Sequence, residues 1–199
     1  MSKKKMILIA ICVVAGIVGG LFYYVTHIDW NAQKESIAAR FSKTSGRKIE
    51  FTGNLSVSLF PSPHLEANDV NILNDETSEK LATVATLEAE LSLRALLKGI
   101  PDIKSMTLIG SEFWFIVDEN GVSNWHQKQK SQLLDMDLET GLQKLNVRNS
   151  LLHYRNKKYD FNQELTQVNA EILAKSLVGP YRLDGNFVKD SDHFGVAVN

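Results

Sequence analysis

The chain has 199 residues, of which 44% are hydrophobic and 23% charged, so it is long enough for a sizeable core and has the composition of a folded protein. With 12 glycines and 4 prolines, it lacks the composition of a fibrous or disordered chain. Of its 22 basic and 23 acidic residues, three lysines precede the first apolar segment, so the remainder carries a net charge of about −4, which excludes a broad basic surface for nucleic acid.

The first predicted element is a membrane anchor. The segment from Met6 to Val25 contains 20 residues and no charge. A helix rising about 1.5 Å per residue would make it about 30 Å long, the hydrocarbon thickness of a bilayer, and we expect a transmembrane helix over residues 6–25. Residues 1–5 form a basic tail before it, and Tyr23, Tyr24 and Trp30 cluster at its far end. This arrangement predicts a cytoplasmic N-terminus.

Two other interpretations of this segment fit less well. A cleaved signal peptide has an apolar core of ~7 to 15 residues before a small-x-small site, and neither the length nor the exit sequence agrees with that pattern. A lipoprotein is disfavoured because Ile11, rather than a small residue, precedes Cys12. Since Cys12 is the only cysteine, the exported part has no disulfide.

A small-residue face within the anchor suggests a contact between helices. Cys12, Gly16 and Gly20 recur every four residues, the small-xxx-small pattern of membrane helices that associate closely. Glycine is also common in membrane helices that do not associate. Weak self-association through this face therefore stands beside an ordinary monomeric anchor as an alternative.

A short amphipathic helix is predicted within residues 26–46. Trp30, Ile37 and Phe41 fall at i, i+7 and i+11, and Gly46 stands where a helix would end. This helix either closes one end of a sheet or lies along the membrane, and the sequence supports both placements.

The rest of the chain has the alternating pattern of β-strands. From Ile49 to Leu59, apolar and polar residues alternate without interruption, as expected for a sheet with one apolar face. The parity of this pattern slips near Asn68 and Asp69, which predicts a bulge there. The predicted strands are 48–59, 65–73, 82–93, 103–109, 112–118, 142–148, 151–155, 165–174, 181–188 and 194–198.

An internal repeat predicts that hairpins recur along the chain. Residues 103–115 align with residues 142–154 at a shift of 39, with apolar residues matched at five positions and Gly110-Ser111 over Asn149-Ser150. Because both pairs contain turn-forming residues, each copy is predicted to be one hairpin. A second, shorter similarity relates residues 87–91 to residues 168–172.

These elements give a predicted division of the chain. The first β-groove unit covers residues 47–125, residues 126–141 form a linker or a marginal helix, and an incomplete second unit covers residues 142–199. The fold class expected is mainly β with an N-terminal transmembrane helix, in which a curved antiparallel sheet of repeated hairpins forms an open groove.

Signatures of catalysis and of metal binding are missing from the sequence. The five histidines are scattered, with no His-x-x-x-His or Cys-x-x-Cys pair, and no nucleophile or phosphate-loop motif occurs. Acidic pairs such as Glu88 and Glu90 alternate with apolar residues, which is typical of the solvated side of a strand. We expect no enzyme activity, no catalytic residue, no cofactor and no metal.

Several segments, taken in order, resemble the AsmA family of inner-membrane-anchored envelope proteins. Besides the anchor, the segments that carry the resemblance are 44–53 (TSGRKIEFTG), 58–70 (SLFPSPHLEANDV), 91–99 (LSLRALLKG), the pair Asn124-Trp125 after Gly121, and 176–180 (SLVGP). The resemblance extends over most of the chain. Members of this family are usually several times longer, so the chain is expected to be the N-terminal region of such a protein.

This resemblance implies a periplasmic, β-rich protein of the same type as the chorein-like lipid bridges, anchored once in the inner membrane and linked to outer-membrane biogenesis. It implies binding or conduction of phospholipid and contact with the membrane. The alternative function is an anchored scaffold or assembly factor that binds envelope proteins through its sheet edge.

The apolar face itself is the candidate site. We expect the sheet to curl so that this face forms a trough for acyl chains, although an ordinary packed β core would use the same residues. The predicted lining residues are Phe51, Leu55, Val57, Leu87, Ala89, Leu91, Phe113, Phe115, Leu152 and Tyr154.

Overall fold

The computed structural model describes residues 3–75, 77–92, 103–126, 142–174 and 181–198. Its N-terminal part is helical: α1 spans Lys3–His27 and α2 spans Lys34–Ser45, separated by a short 3-10 turn. Gly46 ends α2 with a left-handed φ of 64°, and its N–H donates to Ser42 O at 2.9 Å. α2 corresponds to the predicted amphipathic helix, which begins later than residue 26 because α1 continues to His27.

Nine strands follow and form one open, curved sheet. The strands are β1 (Lys48–Phe51), β2 (Leu55–Ser58), β3 (His64–Leu73), β4 (Lys80–Leu91), β5 (Ile103–Val117), β6 (Lys144–Asn156), β7 (Phe161–Ala174), β8 (Tyr181–Lys189) and β9 (Asp192–Val198). The prediction of a mainly β protein is therefore confirmed.

The long alternating segment of residues 48–59 is two strands rather than one. β1 pairs with the end of β3 and β2 with its beginning, and Gly53 lies at the break. A Cβ on Gly53 would lie 2.5 Å from Asn68 O, so only glycine allows β3 to approach so closely. The alternation still places the apolar residues of both strands on one face, which is why the sequence pattern shows no break.

The sheet runs in the order β1-β3-β4-β5-β6-β7-β8-β9, with β2 beside β1 on the edge of β3. Among the described strands, every neighbouring pair is antiparallel except β5 and β6, which are parallel. The prediction of a wholly antiparallel sheet of hairpins was wrong at this pair. The segment of more than 25 residues between Val117 and Lys144 is long enough for the crossover that a parallel pair requires.

The internal repeat has a different structural meaning from the one predicted. Each copy forms a single strand, and the two copies lie side by side in the register of the repeat, with Met106 opposite Leu145 and Phe115 opposite Tyr154. Matched apolar residues in a parallel pair share a face, so the 39-residue shift describes strand neighbours rather than hairpins.

The residues predicted as hairpin turns form part of a crease across the sheet. Gly110 and Asn149 have positive φ values of 60° and 45° within β5 and β6, and Asp69 and Gln167 have values of 52° and 49° within β3 and β7. Register places Asp69 and Gly110 on opposite sides of Ala85, and Gly110 lies beside Asn149. Register from β3 to β6 stays one to one past this row, so the positive φ values interrupt the alternation of several strands along one line, which we call the crease.

The side chains that point to one face of the sheet are apolar on both sides of the crease. We call this side, which carries Leu65, Val84, Leu108, Val147, Ala170 and Leu183, the inner face. The crease shifts the apolar parity by one residue in each strand it crosses, as from Ala67 to Val70 in β3. The parity slip predicted near Asn68 and Asp69 belongs to this row, but the register shift between β3 and β4 lies between Ile72 and Leu73 instead of at the predicted bulge.

The hydrophobic core lies on the inner face at the β1 end of the sheet. Leu55, Ala67, Val70 and Val84 are almost completely buried there. Trp30, at the end of the connection from α1, packs against this cluster together with Ile37 and Phe51. The rings of Phe41 in α2 and Phe51 in β1 meet edge to face with centroids 6.4 Å apart. Of the two predicted placements of the amphipathic helix, the structure has the one that covers the sheet.

Candidate functional site

The inner face brings all ten predicted lining residues to one side of the sheet. Strand register gives their order: Phe51 is opposite Val70, Ala89 lies between Leu65 and Met106, and Phe113 lies between Ala82 and Leu152. Alternation then places the remaining predicted residues on the same side. The full set is Phe51, Leu55, Val57, Leu87, Ala89, Leu91, Phe113, Phe115, Leu152 and Tyr154.

Burial divides these ten residues into two groups. Leu55, Leu87, Ala89 and Leu91 are at most 9% exposed and lie within the closed core. The other six, Phe51, Val57, Phe113, Phe115, Leu152 and Tyr154, are half-buried. The four buried residues have no surface for a ligand in this conformation, whereas the six half-buried residues keep part of their side chains accessible.

The inner face becomes open toward β9, and sequence analysis missed the residues that line it there. Leu183 and Phe187 in β8 are half-buried, whereas Phe194, Val196 and Val198 in β9 are at least 41% exposed. Register places Phe187 opposite Phe194 and Leu183 opposite Val198, so all five share the inner face. The alternation of β8 and β9 was visible in the sequence and could have identified them.

We therefore distinguish a proximal half of the inner face, on β1–β5, from a distal half, on β6–β9. In the proximal half, Trp30 and Ile37 pack against the buried core, and the ring of Phe41 meets that of Phe51. In the distal half, Val147 of β6 still belongs to this core, and the apolar surface is open to solvent on β9. Such contiguous exposed apolar surface is typical of a binding site.

A row of aromatic rings lies where the two halves meet. Phe115 contacts Trp125 with ring centroids 5.3 Å apart, and Trp125 in turn lies 6.5 Å from Tyr154. Tyr154 continues the row to Phe161 at 6.1 Å, and Phe113 extends it in the other direction at 6.2 Å from Phe115. Residues that are far apart in sequence thus form one continuous aromatic surface.

The opposite, outer face is mostly polar and carries a separate cluster. The Trp114 ring stacks on His153 with centroids 6.0 Å apart. His153 Nε2 lies 2.7 Å from Glu112 Oε1, and its Nδ1 lies 3.3 Å from Glu164 Oε2. Trp114, His153 and Glu164 border an open cavity of about 640 Å³. On the described outer face, Trp114 thus has His153 as its aromatic partner.

Among the described residues, Arg182 has a shifted pKa. This pKa is raised by the hydrogen bond that the guanidinium donates to Asp184. Within the described ranges, no group of three or more His, Cys, Asp or Glu side chains could hold a metal ion.

The first helix is the second feature of functional interest. α1 is 25 residues long, and its residues Met6, Ile7, Ile9, Ile11 and Val13 are each more than half exposed. Among the residues that the structure describes, no helix meets the combined criteria of length and hydropathy for crossing a membrane.

A comparison with protein families gives one match. The family model described as the AsmA family matches residues 1–199. Neither a curated protein nor a solved structure matches the chain.

Proposed function

Because the chain belongs to the AsmA family, whose members are envelope proteins related to outer-membrane biogenesis, we propose that it binds phospholipid acyl chains on the distal half of the inner face. The observation that carries the proposal is the exposed apolar surface on the inner face of β8 and β9, which shares that face with the aromatic row. No catalytic chemistry is required, and we propose no enzyme activity.

We further propose that α1 anchors the protein in the inner membrane, with residues 1–5 in the cytoplasm and the sheet in the periplasm. Residues 6–25 carry no charge, and the three lysines before them favour the cytoplasmic side. Five large apolar side chains of α1 are more than half exposed, an arrangement that lipid accommodates at lower free energy than water does.

The size of the distal half suits a single acyl chain. Neighbouring strands lie ~4.8 Å apart, so the three steps from β6 to β9 span about 14 Å. This span is close to the length of an acyl chain in one leaflet, which makes up about half of the ~30 Å hydrocarbon core of a bilayer. Each buried methylene contributes ~0.8 kcal/mol, so a chain lying along this surface is held without any contact to its headgroup.

The same arithmetic gives the length of the described sheet. The path from β1 to β9 has seven steps and spans about 34 Å, roughly the thickness of one bilayer. The proximal half is also closed by its own core. Transfer to a distant membrane therefore requires further protein beyond the described sheet.

Lipid mass spectrometry on the protein purified in mild detergent tests the proposal. Stoichiometric phospholipid is expected with the unmodified chain, and Val196→Lys should lower lipid occupancy severalfold because it places a charge on the inner face. Ala197→Lys is the matched control, since Ala197 is the next residue of the same strand, is opposite Asp184 and points to the outer face. Equal occupancy in both variants, or no lipid in the unmodified protein, would refute lipid binding at this surface.

One observation favours the alternative function of a scaffold. At the other side of the described sheet, β1 and β2 each pair with β3 alone. Such an edge can accept a strand from an envelope protein by β-augmentation. Recovery of a stoichiometric protein partner without lipid would support the scaffold.

A further inference from the structure

The segment that follows β5 is an ordered strap. Asp118 Oδ1 accepts hydrogen bonds from the N–H groups of Asn120 and Val122, both at 2.8 Å, and Gly121 adopts a φ of 84°. The chain then returns beside the strand it has left, since Ser123 forms a bridge with Val117. We call residues 118–126 the strap.

The side chain of Asn124 holds the strap to β5 through hydrogen bonds of the kind that a neighbouring strand would form. Its side-chain Oδ1 accepts from Ile116 N at 3.0 Å, and its Nδ2 donates to Trp114 O at 2.8 Å. The pairing of β4 with β5 extends only to Phe113. The Asn124 amide therefore satisfies the backbone groups of β5 at the point where the β4 ladder stops.

Two contacts from the proximal half hold the strap from its other side. Asn74 Nδ2 donates to Asn124 O at 2.8 Å, and the Arg47 guanidinium donates to Trp125 O. The backbone of Trp125 is thus fixed between β5 and the residues that flank β1 and β3. A fixed backbone places the indole ring in a defined position.

That position is the boundary between the closed and the open halves of the inner face. The Trp125 ring lies between Phe115 of β5 and Tyr154 of β6, and the side chain is 39% exposed. An indole with one side against apolar rings and the other facing solvent suits the rim of an apolar surface that is partly wet.

We propose that Trp125 is a retention residue, which contacts the bound acyl chain at the proximal end of the distal half and slows its release. This inference rests on the proposed lipid binding. The strap holds the ring in place before lipid arrives, so contact requires no ordering of a loop. The sequence Gly121-x-x-Asn124-Trp125 then has a physical explanation: Gly121 makes the turn, Asn124 fastens the strap, and Trp125 contacts the ligand.

Tryptophan fluorescence with a brominated probe tests the contact, because bromine quenches an indole that it touches. The full chain carries three tryptophans, Trp30, Trp114 and Trp125. A Trp30→Phe/Trp114→Phe variant retains Trp125 as the reporter, and a Trp30→Phe/Trp125→Phe variant retains Trp114. Trp114 is the matched control, since it lies on neighbouring β5 but stacks on His153 on the outer face. The probe is phosphatidylcholine brominated at mid-chain, compared with its unbrominated form in mild detergent.

We expect the brominated lipid to quench Trp125 and to leave Trp114 unchanged. Bound lipid, measured by mass spectrometry on the same samples, with equal or no quenching of the two reporters would overturn the retention role and leave the proposed function intact. Absence of bound lipid in the unmodified chain would overturn both.

The release rate gives a second measurement in the otherwise unmodified chain. Trp125→Ala should release a fluorescent phospholipid roughly three- to tenfold faster, since an aromatic contact is lost. Trp125→Phe keeps a ring on the same backbone and should restore most of the retention. Unchanged release from Trp125→Ala that still folds, as judged by circular dichroism, would contradict the proposal.

Discussion

The proximal and distal halves of the inner face have the same alternating sequence pattern and opposite accessibility. In the proximal half, Leu55, Val70 and Val84 are at most 2% exposed beneath α2 and Trp30, whereas Phe194, Val196 and Val198 in the distal half are at least 41% exposed. The comparison teaches that a one-faced apolar sheet becomes a core or a binding surface according to what covers it. Alternation alone does not distinguish the two outcomes.

The largest expected effect is a difference in the free energy of unfolding between substitutions in the two halves. Leu55→Ala should lower the free energy of unfolding by about 2–5 kcal/mol, because it leaves a cavity in a closed core. Phe194→Ala removes a larger side chain that is 43% exposed and should cost less than about 1 kcal/mol. Thermal unfolding of both variants in mild detergent measures the difference, and equal losses would show that the distal half is also closed in solution.

Two glycine substitutions, one in each half, compare how closely the backbone is packed there. Gly53→Ala should destabilise the protein by about 1–3 kcal/mol, since its Cβ would lie 2.5 Å from Asn68 O. Gly195→Ala should be neutral or slightly stabilising, because the nearest atom to its Cβ, Gly185 O, is 3.9 Å away. The melting temperatures of the two variants test this contrast, which a destabilised Gly195→Ala would refute.

The smallest effect on the free energy of unfolding is expected from a substitution on the outer face. Lys144 and Glu171 form an ion pair at 2.6 Å between β6 and β7, with both side chains about 40% exposed. Lys144→Ala should lower the free energy of unfolding by less than about 1 kcal/mol, and less at high salt. A larger loss in urea titration would mean that outer-face charges, rather than inner-face burial, stabilise the distal half.

Much of the fold follows from the sequence, because period-2 alternation assigns each residue to a face whatever the strand order. All ten predicted lining residues lie on one face for that reason. The direction of β6 could not be predicted. Gly110 and Asn149 favour positive φ, and a turn and a bulge both use that conformation. Which one forms depends on a long-range pairing that local sequence does not specify.

The sequence predicts which face of the sheet carries the candidate site better than it predicts how much of that face is accessible. Leu87, Ala89 and Leu91 have the same alternation as Leu183, Gly185 and Phe187, yet only the first set lies within the core. The difference depends on the tertiary packing around each strand, which has no signature in the strands themselves. The strap is similar: its residues were noted for their resemblance to the family, but their contacts with Asn74 and Arg47 depend on the folded chain.

The crease has a consequence for how this protein tolerates insertions and deletions. Every strand it crosses shifts its alternation by one residue at the same level, so the apolar residues of all these strands stay on the inner face. Loss of the single residue Gly110 would turn Phe113 and Phe115 to the solvated side while their neighbours stayed in place. A change in the length of one strand at the crease would therefore require the same change in its neighbours. Insertions and deletions are compatible with the fold in the connections between strands but not at the crease.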